Sequence, residues 1–225
     1  MTTTTRDVAA AAAARAQHVR QRADRPSQRR SAEHQGARPA IRATLIGPQL
    51  RQQVGDGGLL EFTGHASVTE RAYEMWDWYG PYTEVIGSTA FDATLARADL
   101  DVPLVLGHDQ LRRIARTTTG TLDLAMDDTG LLVAARLDPA DADVAYIAPK
   151  LAAKLVDEMS FAFRIDSGTW SPDWDQFRID AVDIHRGDVA IVGYGANPAT
   201  DAGLRHARSD TTRARALLEL ALAGD

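Results

Sequence analysis

Short apolar runs with a two-residue period, separated by turn residues, constrain the fold of this chain most. Apolar residues occupy every second position at Leu122, Leu124 and Met126. The turn-prone run Asp127-Asp128-Thr129-Gly130 follows directly. From Leu131 onward, apolar side chains again occupy every second position, which is the pattern of a β-hairpin. Several runs of this kind and few helical segments predict a β-rich α+β fold, either a barrel or a curved sheet with peripheral helices.

The residue inventory excludes several classes of protein. The chain has 225 residues and no cysteine, which excludes a disulfide framework and a thiolate metal site. Its few histidines are scattered, so we expect no metal site. No apolar run approaches the length of a membrane span, and the first residues lack the apolar segment of a signal peptide. We therefore expect no contact with a membrane.

Charge divides the chain into an arm and a body. Residues 1–38 carry eight arginines against three carboxylates, a net charge of +5, so the rest of the chain carries −11. We predict that residues 1–40 are a basic, disordered arm, because they hold few large apolar side chains. Residues 41–205 are predicted to form the main domain, and residues 206–225 a helical tail. The acidic body disfavours nucleic acid as a partner.

Three polar residues, far apart in sequence, lie in or beside strand-like runs. His108 follows Leu104 and Leu106 in the same alternating phase, so it is expected to point inward or to a barrel rim. Ser160 lies on the strand face opposite Phe161, and Asp188 begins the run Asp188-Val189-Ala190-Ile191. A serine becomes a nucleophile when a base takes its proton and a third group orients that base. The three residues are therefore candidates for catalysis.

Each candidate also has a simpler explanation. A histidine in this position can be bonded to the backbone, a strand serine is commonly an outward polar residue, and a carboxylate at a strand end commonly completes a turn. Asp109 is read as a turn residue. His185 competes with Asp188 for the third role, because it lies three residues upstream. The spacing between the three candidates permits any geometry.

Taken in order, several segments of the chain resemble the tailed-phage prohead maturation proteases, a serine protease family that shares the herpesvirus assemblin fold. The similarity extends from about Glu61 to Asp201 and includes neither tail. Its main segments are Phe62-Thr63-Gly64-His65-Ala66-Ser67-Val68, Val105-Leu106-Gly107-His108-Asp109, Met159-Ser160-Phe161-Ala162-Phe163-Arg164 and Asp188-Val189-Ala190-Ile191-Val192. Each segment alone is weak, whereas their order and spacing together are specific.

The resemblance implies a small closed β-barrel surrounded by helices, with His108 as the base, Ser160 as the nucleophile and Asp188 as the third member. It implies no cofactor. Ala162 stands where the family commonly has glycine, and Ala190 where it commonly has serine. Arg164 and nearby backbone N–H groups are candidates to stabilise the oxyanion.

The implied function is a serine endopeptidase that cleaves the scaffold protein, or a scaffold segment of the major capsid protein, and also itself. It would act inside the immature capsid in the host cytoplasm. The portal, the shell and further copies of the chain are open as additional partners. Two alternatives remain: a non-enzymatic capsid assembly or scaffolding protein on the same fold, and a general serine hydrolase that acts on small esters.

Overall fold

The computed structural model describes residues 5–18, 40–44, 49–51 and 58–193. Within those ranges the chain is mostly β-sheet, with eleven strands and three α-helices. The strands are β1 (Ala40–Thr44), β2 (Gln49–Arg51), β3 (Leu60–Val68), β4 (Tyr73–Trp76), β5 (Pro81–Ile86), β6 (Pro103–Leu106), β7 (Asp109–Arg116), β8 (Leu122–Met126), β9 (Gly130–Leu137), β10 (Glu158–Trp170) and β11 (Gln176–Val192). The helices are α1 (Thr5–His18), α2 (Asp92–Leu95) and α3 (Ala142–Ala152).

The strands form two sheets. In the first sheet β1, β10, β11, β5 and β4 are neighbours in that order, and β6 lies between the end of β11 and β7. The long strand β11 is antiparallel to β10 along its length, and it is parallel to β5 at one end and to β6 at the other. The second sheet has the order β2-β3-β9-β8, and all of its pairs are antiparallel.

Both sheets contribute to one hydrophobic core. Phe161 and Phe163 of β10 and Ile191 of β11 are buried in the same cluster as Leu131 and Val133 of β9. Because side chains alternate across a strand, every second residue within each regular segment of β10 and β11 enters this core. Burying each such side chain stabilises the fold by about 1.5–3 kcal/mol. The intervening residues of β10 and β11 face the other side of the sheet, where the candidate residues lie.

The predicted small closed β-barrel surrounded by helices is wrong. In the part of the chain that the structure describes, the strands form open mixed sheets. The outer strands are β1, β4 and β7 in the first sheet, and β2 and β8 in the second. The physical reason is that apolar alternation identifies a strand with one buried face, whereas barrel closure depends on long-range pairing that this period does not encode.

Two local predictions also differ from the structure. The segment 73–82 is rich in aromatic residues and contains the pair Gly80-Pro81, which predicts a loop, but in the structure it contains β4 and the beginning of β5. Proline is common in the first turn of a helix, so Pro149 predicts a helix start at that position. The helix begins at Ala142 instead, because the Asp141 side chain accepts hydrogen bonds from the backbone N–H groups of Asp143 and Val144. The cap at Asp141 thus sets the start of this helix, and Pro149 lies inside it.

The helix α1 docks on the body through a buried arginine. Arg15 is fully buried, and its guanidinium donates to both carboxylate oxygens of Asp77, at 2.8 and 2.9 Å. It also donates to the carbonyl of Trp174 at 2.7 Å and stacks over the ring of Trp170, 4.9 Å from the ring centroid. A charged side chain tolerates burial when it is paired with an opposite charge and its donors are hydrogen-bonded, as Arg15 is here.

The predicted division at residues 40 and 205 is untested and stays a prediction. The predicted C-terminal helical tail, 206–225, lies outside the described residues. Within the described ranges, no helix is both long enough and apolar enough to cross a membrane.

Candidate functional site

A tight turn between β6 and β7 positions His108. Leu106 and Asp109 are paired, so the loop consists of Gly107 and His108 alone, and both have a φ of +62°. Two consecutive positive φ angles are typical of the turns that match the twist of a two-residue hairpin. A residue other than glycine in this region is strained by about 1–3 kcal/mol, which persists only where the surrounding structure holds it. The structure therefore holds His108 in a costly conformation.

An irregularity in β11 positions Asp188. Ala162 of β10 pairs with Asp188 and Arg164 pairs with Asp183, so β10 advances by two residues while β11 advances by five. Gly187 makes this possible, because a Cβ at that position would lie 1.9 Å from the carbonyl oxygen of Ala162. Bulges of this type re-aim the side chains that follow them. Regular pairing with β10 extends from Asp188 to Val192, and the Asp188 side chain lies on the face of the sheet opposite the core.

The structure brings His108 and Asp188 into direct contact. His108 Nδ1 lies 2.7 Å from Asp188 Oδ1, and Gln110 Nε2 donates a hydrogen bond of 2.6 Å to Asp188 Oδ2. An ionised carboxylate only accepts hydrogen bonds, so Nδ1 carries the proton in this pair. The other ring nitrogen, Nε2, is then the proton acceptor of the neutral imidazole. The carboxylate thus fixes both the tautomer and the orientation of the ring.

Nε2 of His108 is buried and has no hydrogen-bond partner among the described residues. Buried polar atoms in proteins are nearly always satisfied, and each exception calls for an explanation. Here the exception is the nitrogen that must receive a proton if His108 acts as a base. This nitrogen is therefore free to accept a hydrogen bond or a proton from a group that does not contact it in the present structure.

Ser160 lies on the same face of the sheet as Asp188. Ser160 pairs with Ala190 and Ala162 pairs with Asp188 across the antiparallel ladder of β10 and β11. Paired residues share a face, and Ser160 is the diagonal neighbour of Asp188 at a Cα separation of about 7–8 Å. The expected opposite orientation of Phe161 agrees with its position in the core. The sheet register thus collects Ser160, Asp188 and the His108 ring on one face.

This face is closed to solvent. Ser160 is 1% exposed and Asp188 is 2% exposed. Val105, Ala190 and Val192 form a separate buried apolar cluster, on the side of these strands away from the main core. Apolar surroundings lower the local dielectric and strengthen electrostatic interactions between the polar groups they enclose. Ser160 and Asp188 therefore lie in largely apolar surroundings.

The alternative third member, His185, is engaged elsewhere. Its ring Nδ1 accepts a hydrogen bond of 3.2 Å from the backbone N–H of Asp101, and its backbone N–H donates to the side-chain carboxylate of Asp183. Arg164, a candidate to stabilise an oxyanion, donates to the His185 carbonyl at 3.0 Å and lies 3.9 Å from Asp183. The direct contact of the His108 ring is with Asp188. Asp109 accepts from the N–H of Leu111, as a turn residue does.

A second histidine–aspartate pair serves a different purpose. His65 Nε2 lies 2.8 Å from Asp127 Oδ2, and Asp127 also accepts hydrogen bonds from the N–H groups of Thr129 and Gly130. Burial raises the pKa of Asp127, but the His65 hydrogen bond and the two backbone bonds outweigh it, so the net pKa is lowered. This carboxylate organises the β8–β9 turn and bonds β3 to it.

Gln110 is the site residue that sequence reasoning missed. It holds the second oxygen of Asp188, although it is separated from Asp188 by 78 positions in the chain. A glutamine on a hairpin strand gives no signal by itself. The available signal was its position two residues after His108, on the strand that leaves the same turn.

Comparison with known proteins identifies the family. A family model described as caudovirus prohead serine protease matches residues 49–215. No curated protein and no solved structure gives a significant match. The matched range includes the turn with His108 and the strands with Ser160 and Asp188. The chain therefore belongs to the caudovirus prohead serine proteases, a serine peptidase family of phage capsid maturation.

Proposed function

We propose that the protein is a serine endopeptidase in which Ser160 is the nucleophile, His108 the general base and Asp188 the residue that orients His108. The observation that carries the proposal is the His108–Asp188 hydrogen bond, which leaves a buried acceptor nitrogen on the opposite side of the ring. Ser160 shares the sheet face with Asp188 and supplies the hydroxyl. This is the arrangement that turns a weak nucleophile into an effective one.

The reaction proceeds by acyl transfer. Ser160 Oγ attacks the carbonyl carbon of the scissile peptide bond, and its proton passes to His108 Nε2. When the tetrahedral intermediate collapses, the C–N bond breaks and His108 gives that proton to the leaving amine. Water then attacks the acyl-enzyme and gives a proton to Nε2. The ester bond breaks, and the proton returns to Ser160. Asp188 stays ionised and stabilises the imidazolium in both steps.

The substrate that fits this assignment is the scaffold protein or a scaffold segment of the capsid protein within the immature shell. We also propose that the chain cleaves itself. Family membership supports an endopeptidase of the prohead over a hydrolase of small esters. Both substrate proposals are tested by mass spectrometry of the wild-type chain and of the capsid proteins assembled with it.

The decisive variant is Ser160→Ala, assembled with the capsid and scaffold proteins. We expect cleavage of these proteins and of the chain itself to cease, while the fold persists, because the substitution removes one buried oxygen atom. Ser88→Ala is a matched control, since Ser88 is an exposed serine outside the site. Normal processing by Ser160→Ala would refute the assignment. If neither variant nor wild type cleaves anything, the non-enzymatic scaffolding alternative gains support.

A fluorophosphonate probe separates the chemistry from the choice of substrate. This reagent reacts covalently with activated serine hydroxyls, so it should label wild type at Ser160 and leave Ser160→Ala unlabelled. Peptide mapping of the labelled protein locates the modified residue. Label on a different serine would reject Ser160 as the nucleophile, even if the protein is a serine hydrolase.

A further inference from the structure

A strand from the N-terminal part of the chain lies beside the proposed nucleophile. β1 pairs antiparallel with β10, and its register places Ala43 opposite Ser160 and Ile41 opposite Ala162. β1 is the terminal strand of its sheet, so it occupies the edge of β10 that β11 leaves open. The backbone of residues 40–44 thus lies directly along the strand segment that carries Ser160.

This strand lies outside the part of the chain that the family model matches. The family match begins at residue 49, whereas β1 ends at Thr44. The strands that carry the proposed machinery lie inside the match and β1 lies outside it. The edge of β10 beside Ser160 therefore belongs to the matched part of the chain, whereas the segment that pairs with this edge does not.

The edge has the properties of a peptide-docking surface. An extended peptide can join a sheet at an open strand edge, where main-chain hydrogen bonds supply the binding energy. A peptide paired with β10 at this position would run its backbone past Ser160. In the present state Ser160 is 1% exposed and His108 Nε2 is buried, so an incoming peptide has no access to them. A segment has to move before a substrate can enter.

We propose that the edge of β10 beside Ser160 is where substrate peptide pairs, and that residues 40–44 are an internal occupant of that edge which substrate must displace. The proposal rests on the proposed function, because it takes Ser160 as the nucleophile. The ligand is an extended peptide, antiparallel to β10 and held by its main chain. Because the occupant belongs to the same chain, it competes at an effective concentration on the order of millimolar.

The N-terminal part of the chain, as far as β1, contacts the rest of the protein at two places. α1 is held by buried Arg15 against Asp77, near the hairpin end of β10 and β11 where Trp170 lies. β1 is held at the other end of β10, beside Ser160. When β1 is displaced, the N-terminal part of the chain therefore stays anchored through α1, which favours the return of β1 after product release.

The first test weakens β1 within the full-length chain. Successive backbone amides of a strand point to opposite sides, so Ile41→Pro with Arg42→Pro removes a donor toward β10 in either phase. We expect the rate of fluorophosphonate labelling at Ser160, and the rate of cleavage of an added peptide, to rise at least tenfold. The matched control is Gln49→Pro with Leu50→Pro, in the edge strand β2 of the other sheet, where we expect no increase.

The outcomes separate the two proposals. Labelling of Ser160 at equal rates in wild type and in the β1 variant would overturn the docking inference and leave the protease assignment intact. Labelling of Ser160 in neither protein would overturn the protease assignment. An increase in the β1 variant alone supports both.

A second test keeps β1 intact and needs no activity, so it also applies if the proline variant does not fold. Full-length Ser160→Ala is mixed with a synthetic peptide that has the sequence of residues 38–46, and hydrogen exchange is followed by mass spectrometry. We expect faster exchange at residues 40–44 and retained protection at 158–163, because the peptide replaces β1 on the same edge. Unchanged exchange at 40–44, at peptide concentrations up to several millimolar, would overturn the inference. A peptide with proline at positions 41 and 42 is the control.

Discussion

His108 Nδ1 lies 2.7 Å from Asp188 Oδ1, although 80 positions separate the two residues in the chain. The contact is made by a strained turn on one strand and by the end of a bulge on another. Neither feature belongs to a regular strand. The proposed machinery is thus positioned by two departures from β-geometry that the adjoining sheet holds in place.

Asp188→Asn tests the proposed role of the carboxylate. The amide keeps the size of the side chain but can donate to Nδ1, which favours the tautomer whose Nε2 carries the proton and cannot accept another. We expect kcat to fall by about four orders of magnitude with little change in KM. Steady-state cleavage of a peptide substrate measures both values. Asp109→Asn, in the exposed turn beside His108, is the control, and a loss below tenfold in Asp188→Asn would contradict the role.

Gln110→Leu tests whether the orientation of Asp188 matters. The substitution removes the 2.6 Å hydrogen bond to Oδ2, and a bond to a charged group contributes about 1.5–3 kcal/mol. We expect kcat to fall about tenfold or more while KM stays nearly constant. Gln110→Glu should be more damaging, because it places a second negative charge beside Asp188. Leu111→Ala, at a fully exposed neighbouring position, should behave like wild type.

Gly187→Ala tests the bulge that positions Asp188. A Cβ at residue 187 would lie 1.9 Å from the Ala162 carbonyl oxygen, so one of the two strands has to shift. We expect a loss of about 1–3 kcal/mol in the free energy of unfolding, measured by urea denaturation, together with loss of activity. Gly193→Ala is the matched control, because a Cβ there meets no atom within 4 Å. Equal stability of the two variants would show that the close approach is not needed.

The Glu70–Arg178 pair predicts how stability depends on pH. Two hydrogen bonds from Arg178 and one from the backbone N–H of Ser88 lower the pKa of Glu70 to about 2 from its usual 4.5. The folded state therefore favours the ionised form, so the pair stabilises the protein above pH 4.5 and loses this contribution as the pH falls toward 2. We expect Glu70→Gln to reduce the acid dependence of the urea midpoint in that range. An unchanged pH dependence would contradict the assignment.

The sequence predicts elements with a regular period well. The hairpin expected from Leu122 to Leu137 corresponds to β8 and β9 with its turn in place. The expected orientation of Ser160, opposite Phe161 on β10, follows from the same two-residue period and agrees with the structure. Local alternation is enough here because successive side chains of a regular strand point to opposite faces of the sheet.

Places where a strand departs from the two-residue alternation of its side chains could not be predicted from the sequence. The alternation predicts that His108 continues the phase of Leu104 and Leu106 and points inward or to a barrel rim. In the structure the strand ends at Leu106, and the Gly107-His108 turn brings the ring to Asp188. The extra residues before Asp188 likewise have no periodic signature. Such features depend on the partner strand, which a local pattern does not contain.

Long-range pairing accounts for the remaining differences. The closed barrel was wrong because the pairing of strands into two open sheets is set across the whole chain. The burial of Arg15 was missed because a single arginine in an alanine-rich run reads as a solvated residue. Its carboxylate partner, Asp77, lies 62 positions away.

The irregular register of β11 has a practical consequence for enzymology of this protein. If a copy folds with that strand slipped by one position, Asp188 turns from the His108 side into the apolar interior, while the overall content of strands is unchanged. Circular dichroism would count such a copy as native, although it could turn over nothing. Turnover numbers should therefore be divided by the concentration of titrated active centres and not by the concentration of total protein.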